Sequence, residues 1–208
     1  VEDIYRPYKQ KKKTRATIAK AKGLEPLAEI IINQEEKTPI EEIAKQYINI
    51  ENLSEEDKKN KDKVVATVED AIQGALDIIA ENISDNAKYR KEIKRLLFRE
   101  GLIITKASNE DEKSNYEMYY DYSEPLKYIP SHRILAINRG EKENFIKVKI
   151  EKPEEKILQY MERDILKGET QFTSILKDTI LDAFKRLIEP SIDREIRSDL
   201  TEKAEEQA

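Results

Sequence analysis

The sequence predicts a mainly α protein: a multi-helix bundle with a helix-turn-helix-like part, one small β element and a long C-terminal helix. Three observations carry this reading. Apolar residues recur at the helical period over most of the 208 residues, as in Val68, Ile72, Ala75, Leu76 and Ile79. Capping residues and glycines fall where such stripes begin and end. Only two stretches read as strands: the short run Leu102 to Lys106, and Phe145 to Ile150, where Phe145, Lys147 and Lys149 alternate with Ile146, Val148 and Ile150.

The elements follow in order. Thr14 to Lys22 is a short basic helix closed by Gly23, which can take the left-handed conformation. Leu24 to Ile32 follows, with Leu27, Ile30 and Ile31 on one side. Thr38-Pro39-Ile40-Glu41 reads as a capping box with proline at the first helical position, opening a helix to about Ile48. Residues 52 to 63, with a lysine-rich tail, read as an exposed insertion. Thr67 caps the helix from Val68, and Ser84 can cap the next, with Tyr89, Ile93, Leu96 and Leu97 inside and Gly101 at its end. Asn109 to Asn115 is a polar loop. Ser131 caps a helix that Gly140 ends. Phe145 to Ile150 can pair with Leu102 to Lys106. Ile157, Leu158, Met161, Ile165 and Leu166 form one further stripe, and Leu176, Ile180, Phe184 and Leu187 another. Pro190 opens a last helix, with Ile192, Ile196, Leu200 and Ala204 at four-residue spacing. Such a stripe drifts around the helix and needs more than one partner surface.

The break around Pro153 divides the chain into an expected helical region with the β element at 1–151 and a helical segment leading into a long helix at 152–208. Val1 in place of a start methionine, and a last helix with no cap at Ala208, lead to the expectation of a fragment. The apolar stripe after Pro190 could form artificial dimers in such a fragment.

Composition excludes several classes. There is no cysteine, which removes disulfides and thiolate metal sites and points to a reducing, cytoplasmic compartment. No apolar run approaches the roughly 20 residues of a membrane helix. The charged fraction of 39% is above the usual ~25%, and it is interleaved with apolar periodicity, as on solvated helix faces. There is no phosphate-cradling glycine loop, and the single histidine, His132, rules out a multi-histidine metal site. No cofactor and no catalysis are expected, and a metal-dependent nuclease is opposed by the missing ligand pattern.

Charge distribution is the strongest signal. Between Tyr5 and Lys22 stand Arg6, Lys9, Lys11, Lys12, Lys13, Arg15, Lys20 and Lys22 with no acidic residue, in a chain of net charge −5. Such a block attracts polyanions, nucleic acids above all, without sequence preference. Its plain alternative is a solvated face that balances acidic helices. His132, Arg133 and Arg139 form a second, compact positive element, with structural ion pairing as the alternative. The helix from Pro39 and the helix from Val68 invite comparison with a helix-turn-helix, although their connection is long; packing in a bundle is the alternative. Tyr116, Tyr119, Tyr120, Tyr122 and Tyr128 could stack on bases, or pack with each hydroxyl at the wet edge of a core. Glu117, Asp121 and Glu124 around them favour packing.

Several segments together resemble one family. Glu2-Asp3-Ile4-Tyr5-Arg6-Pro7-Tyr8-Lys9, Thr14 to Ala19 and Lys22 to Ala28 are followed by Ala71 to Glu81, Tyr120 to Pro125, Pro130 to Gly140 and Lys185 to Ile192. In this order they are similar to the core of the Tex family of bacterial transcription accessory proteins. The resemblance implies a helical N-terminal region with a helix-turn-helix-like bundle, cut from a longer protein with a ribonuclease-H-like domain, helix-hairpin-helix modules and an oligonucleotide-binding barrel. It implies nucleic-acid binding and action alongside the transcription machinery. The expected function is therefore a non-enzymatic, nucleic-acid-binding scaffold fragment taking DNA or RNA non-specifically through Lys9 to Lys22. The alternative is a protein-interaction scaffold that docks on the transcription machinery or on the missing domains.

Overall fold

The computed structural model describes residues 13–208. The chain divides into two compact units, Val1–Ile83 with Ile165–Thr179, and Ser84–Asp164 with Ile180–Ala208. Among the described residues the architecture is mainly helical, with one three-stranded sheet.

The first unit begins with helix α1, Arg15–Ala21. Thr14 caps it reciprocally: its hydroxyl accepts from the Thr17 amide at 3.0 Å, and the Thr17 hydroxyl accepts from the Thr14 amide at 2.8 Å. Gly23, at φ +80°, makes the expected left-handed stop. Helix α2, Glu25–Asn33, ends at Gln34 with φ 59°. That conformation is uncommon for a side-chain-bearing residue, and a buried side chain holds it. The Gln34 Nε2 donates to the Ile165 carbonyl at 2.8 Å, and its Oε1 accepts from the Lys167 amide at 2.9 Å.

Helix α3, Ile40–Ala44, starts differently from the capping box expected at Thr38. Pro39 takes the cap position in an extended conformation, which places Thr38 one residue too far upstream. The Ile40 amide donates instead to Gln171 Oε1 at 3.0 Å, while the Gln171 Nε2 donates to the carbonyls of Glu36 and Thr38 at 2.9 and 2.8 Å. Gln171→Ala is expected to cost about 1–2 kcal/mol in chemical denaturation, and Thr38→Ala less than about 0.5 kcal/mol. An equal loss from both would restore Thr38 as the cap.

Residues 45–67 connect α3 to helix α4, Val68–Asp85, through 3₁₀ turns at Lys45–Tyr47, Ile50–Asn52 and Asp57–Lys59. Asn49 closes this segment on itself. Its Nδ2 donates to the Lys63 carbonyl at 2.9 Å, its Oδ1 accepts from the Val65 amide at 2.7 Å, and its own amide donates to the Val65 carbonyl at 3.0 Å. Gly74 on α4 allows a close approach: a Cβ there would fall 2.3 Å from Leu24 and 3.4 Å from Ala19. Leu24, Leu27, Ile31, Ile78, Phe172 and Leu176 are buried in this unit.

In the second unit, α4 runs through Ser84 to Asp85, and Asn86 caps helix α5, Ala87–Glu100, by accepting from the Tyr89 amide at 3.2 Å. The cap expected at Ser84 is therefore corrected. Asn86 leaves helical geometry and caps at least as well as serine, while the Ser84 carbonyl and hydroxyl accept from the Arg90 guanidinium.

Strands β1 (Leu102–Ala107), β2 (Asp121–Pro125) and β3 (Ile146–Glu151) form an antiparallel sheet in the order β2-β1-β3. The expected pairing of the first and last is present, with Ile103 opposite Ile150 and Thr105 opposite Val148. Helix α6, Ser131–Lys142, is capped by Pro130, and Ser131 is its first residue. Gly140 does not end it. That glycine is buried inside the helix, and a Cβ would lie 3.0 Å from Tyr116 and 3.1 Å from Ile146, so it permits close packing on β3. Asn144, at φ 66°, makes the left-handed turn instead.

Helix α7 is Glu154–Ile165. A continuous helical run follows: α8 (Thr173–Asp182), a π segment (Ala183–Ile188) and α9 (Glu189–Glu206). Pro190 thus lies within a helix and does not open one. Proline supplies no amide proton to the preceding turn and its ring crowds that turn, and the wider π geometry just before it gives the room. Beside it, the Lys152 side chain is only 5% exposed. Its ammonium meets Asp193 at 3.0 Å, Glu189 at 3.1 Å and the Ile150 carbonyl at 2.9 Å. Burial pushes the Asp193 carboxyl above its ordinary range, and Lys152 partly offsets that push.

Candidate nucleic-acid interface

Of the basic block, Lys9, Lys11 and Lys12 lie outside the described residues. Lys13, Arg15, Lys20 and Lys22 are described, on and around α1. Because α1 buries Ala16 and Ala19, its charged side chains are turned away from the core.

Arg15 and Lys22 line a groove of about 430 Å³, and three further cations line it with them: Lys58, Lys59 and Lys61. The lysines belong to the segment that Asn49 closes, so the hydrogen bonds to Lys63 and Val65 carry them to the basic face of α1. Ile18, Ala19, Val64 and Gly74 supply the apolar lining, and Gln73, Asp70 and Asp77 the α4 wall. Gln73 donates to Asp77 at 2.9 Å. Among the described residues five cations against two carboxylates leave the groove positive, in a chain that is acidic overall.

Few of these cations are neutralised locally. Lys58 pairs with Glu55 at 3.1 Å, and outside the groove Lys13 meets Asp62 at 3.7 Å. Both contacts are exposed, and such pairs contribute little. Among the described residues, Arg15, Lys22, Lys59 and Lys61 have no carboxylate within ion-pair distance. Among the described residues no aromatic side chain lines the groove, so these residues offer charge to phosphates and no stacking platform to bases.

The second positive element behaves differently. Arg133 donates to both carboxylate oxygens of Glu124 at 2.7 Å and lies 5.7 Å from the Tyr122 ring centroid. Glu124 thereby raises the guanidinium pKa further. His132 and Arg139 are exposed on α6. These residues belong to the second unit and the groove to the first. The tyrosines mostly pack: Tyr119 and Tyr122 meet edge to face at 5.4 Å, Tyr116 lies 5.6 Å from Phe145, and the Tyr120 hydroxyl donates to the Glu112 carbonyl at 2.6 Å. Tyr128 is the exposed exception.

Among the described residues no group of three or more His, Cys, Asp or Glu could hold a metal ion, and no helix is long and apolar enough to cross a membrane.

Comparison with known proteins covers most of the chain. The family model described as Tex central region-like matches residues 34–208. YdcI of Bacillus subtilis is 49% identical over 212 residues, covering all of this chain and 28% of that protein. Transcriptional accessory protein Tex of Neisseria gonorrhoeae is 32% identical over 150 residues, 71% of this chain and 18% of that protein. The human S1 RNA-binding domain-containing protein 1 is 28% identical over 224 residues, 100% of this chain and 21% of that protein. The chain thus spans between 18% and 28% of the length of these relatives.

Proposed function

The chain belongs to the Tex central region-like family, and from that premise we propose that it is a non-catalytic, nucleic-acid-binding part of a cytoplasmic transcription accessory protein. The observation that carries the reading is the convergence of Arg15, Lys22, Lys58, Lys59 and Lys61 in one groove. The names of the relatives, a transcriptional accessory protein and an S1 RNA-binding domain protein, support the same class of ligand. The groove takes the phosphodiester backbone of DNA or RNA without regard to sequence, because among the described residues its lining presents charge and no stacking surface. Lys9, Lys11, Lys12 and Lys13 extend the positive stretch along the chain. His132, Arg133 and Arg139 are secondary in this reading, since Glu124 engages Arg133.

Fluorescence anisotropy with labelled single- and double-stranded DNA and RNA tests it. If each of the five groove cations engages one phosphate, the log–log salt slope for duplex DNA is about −4.5. Affinity then falls roughly 500-fold between 50 and 200 mM salt. Arg15→Glu with Lys22→Glu should reduce both affinity and slope. Salt-insensitive binding, or an unchanged slope in that variant, would remove the groove from the account and favour the protein-scaffold alternative.

A further inference from the structure

The second unit holds a cavity of about 500 Å³ that the nucleic-acid reading does not use. Its floor is apolar, made by Phe98, Leu126, Ile129, Ile134, Leu200 and Ala204. Its rim is positive. Lys127 and Lys203 stand there, and among the described residues neither has a carboxylate within ion-pair distance. The rim carboxylate, Asp199, is already neutralised by Lys94 at 2.6 Å. The remaining polar groups satisfy each other: the Ser131 hydroxyl donates to Gln207 Oε1 at 2.5 Å.

Tyr128 adjoins this rim in sequence, next to Lys127, whose ammonium lies 5.5 Å from the ring centroid. Among the described residues the exposed large apolar side chains are Met118, Tyr128 and Leu181, and Tyr128, at 70% exposure, is the most exposed. An exposed aromatic between two cavity-lining residues, Lys127 and Ile129, together with two rim lysines that meet no carboxylate among the described residues, is a combination that folding alone does not require.

We infer that this cavity docks a short acidic segment of a partner protein that inserts one or two apolar side chains. The floor takes the apolar side chains, Lys127 and Lys203 meet carboxylates on either side of them, and Tyr128 covers the segment. Charge complementarity selects this occupant: a neutral or basic segment would leave both lysines facing an apolar or like-charged surface. A nucleic acid fits less well, because the floor offers no hydrogen-bonding groups to base edges and would stay unfilled if only phosphates sat at the rim.

The test pans a random twelve-residue peptide display library on the 208-residue chain, with the K127E/K203E variant as the counter-selecting competitor. Selected peptides are then synthesised with a fluorescent label, both as selected and with every Asp and Glu changed to Asn and Gln. Both lysines are exposed, so circular dichroism should show an unchanged fold in the variant. The expected peptides carry two or more carboxylates flanking Leu, Ile, Phe or Trp. They should bind at least tenfold more weakly to K127E/K203E, and as amides at least tenfold more weakly to the wild-type chain. Oligonucleotide binding through the groove should be unchanged in K127E/K203E, which separates this surface from that one. No enrichment over the variant, enrichment of neutral or basic peptides, or equal affinity of the amide forms would overturn the inference. So would displacement of the peptide by oligonucleotide together with weaker oligonucleotide binding in K127E/K203E, which would assign the surface to nucleic acid. Concentration-dependent dimerisation that blocks the peptide would assign it to a second copy.

Discussion

Replacing Lys152 by methionine lowers the unfolding free energy by about 3–5 kcal/mol, the usual cost of removing one partner from a buried ion cluster. For a chain of this length that corresponds to a drop of roughly 6–20 °C in the thermal midpoint, measured by circular dichroism or calorimetry. The ammonium meets both Glu189 and Asp193 and also satisfies the Ile150 carbonyl, while Lys185 reaches Glu189 at 3.8 Å from a more exposed position. Without it two partly buried carboxylates face one another. The loss carries a pH signature. Burial already raises the Asp193 carboxyl, and Lys152 opposes that rise, so the variant raises it further. A carboxyl whose folded pKa lies above its unfolded value, about 3.9, supports the fold below that value and withdraws support as pH rises through the folded pKa. The deficit of the variant relative to the wild type should therefore be larger at pH 7 than near pH 4.5. Equal deficits would mean that packing alone was lost. Asp193→Leu added to Lys152→Met should recover part of the stability, since an apolar replacement of both partners is often close to neutral.

Changing Lys58, Lys59 and Lys61 together to glutamine should weaken duplex binding by several hundred-fold at 0.1 M salt and flatten the log–log salt slope by about 2.7, three phosphate contacts at roughly 0.9 each. The fold should hold, because each side chain stands at the surface and the segment is closed by Asn49 through main-chain partners. Chemical denaturation of the variant should change by less than about 0.5 kcal/mol. Binding unchanged in slope and affinity would show that these lysines only solvate the segment. A loss confined to duplex or to single strands would name the preferred form.

Much of the helical framework was legible because apolar period reports the buried face directly. Ile157, Met161 and Ile165, or Ile192, Ile196, Leu200 and Ala204, are buried as their spacing requires. Boundaries were less legible where the decisive partner is remote. Gln171 caps α3 from a sequence separation of 131 residues, and no local pattern at Thr38 could reveal it. Strand β2 was hidden because Asp121, Ser123, Glu124 and Pro125 have little strand preference; as an edge strand it needs few apolar residues. Gly140 looked like a terminator, yet it serves the approach of β3.

The candidate site divides in the same way. The charge of α1 is written in consecutive residues, so it was visible. The lysines of 58–61 were seen only as the tail of an insertion. Their meeting with Arg15 and Lys22 depends on how Asn49 folds the segment back, and the one available hint was lysine density on a loop next to a basic helix. Arg133 was open between phosphate contact and ion pairing, and the presence of Glu124 in the neighbouring strand supplies the pairing.

The run from Phe172 to Ala204 buries every fourth residue: Phe172, Leu176, Ile180, Phe184, Ile188, Ile192, Ile196, Leu200 and Ala204. In a regular helix each step of four overshoots a full turn by about 40°, so this line winds around the rod like a thread on a screw. The π segment at Ala183–Ile188 locally slackens that winding, because a wider turn uses more residues per revolution. The helix therefore has a phase as well as a length. Taking one residue out of the π segment would let that turn close to regular α geometry with the phase nearly kept, whereas taking one out of the regular turns after it would swing the residues beyond the deletion by about 100°, presenting polar flanks to the core. Side chains along this helix can be exchanged for others of similar shape, whereas the number of residues in the regular turns of α9 between Glu189 and Ala204 cannot change by one.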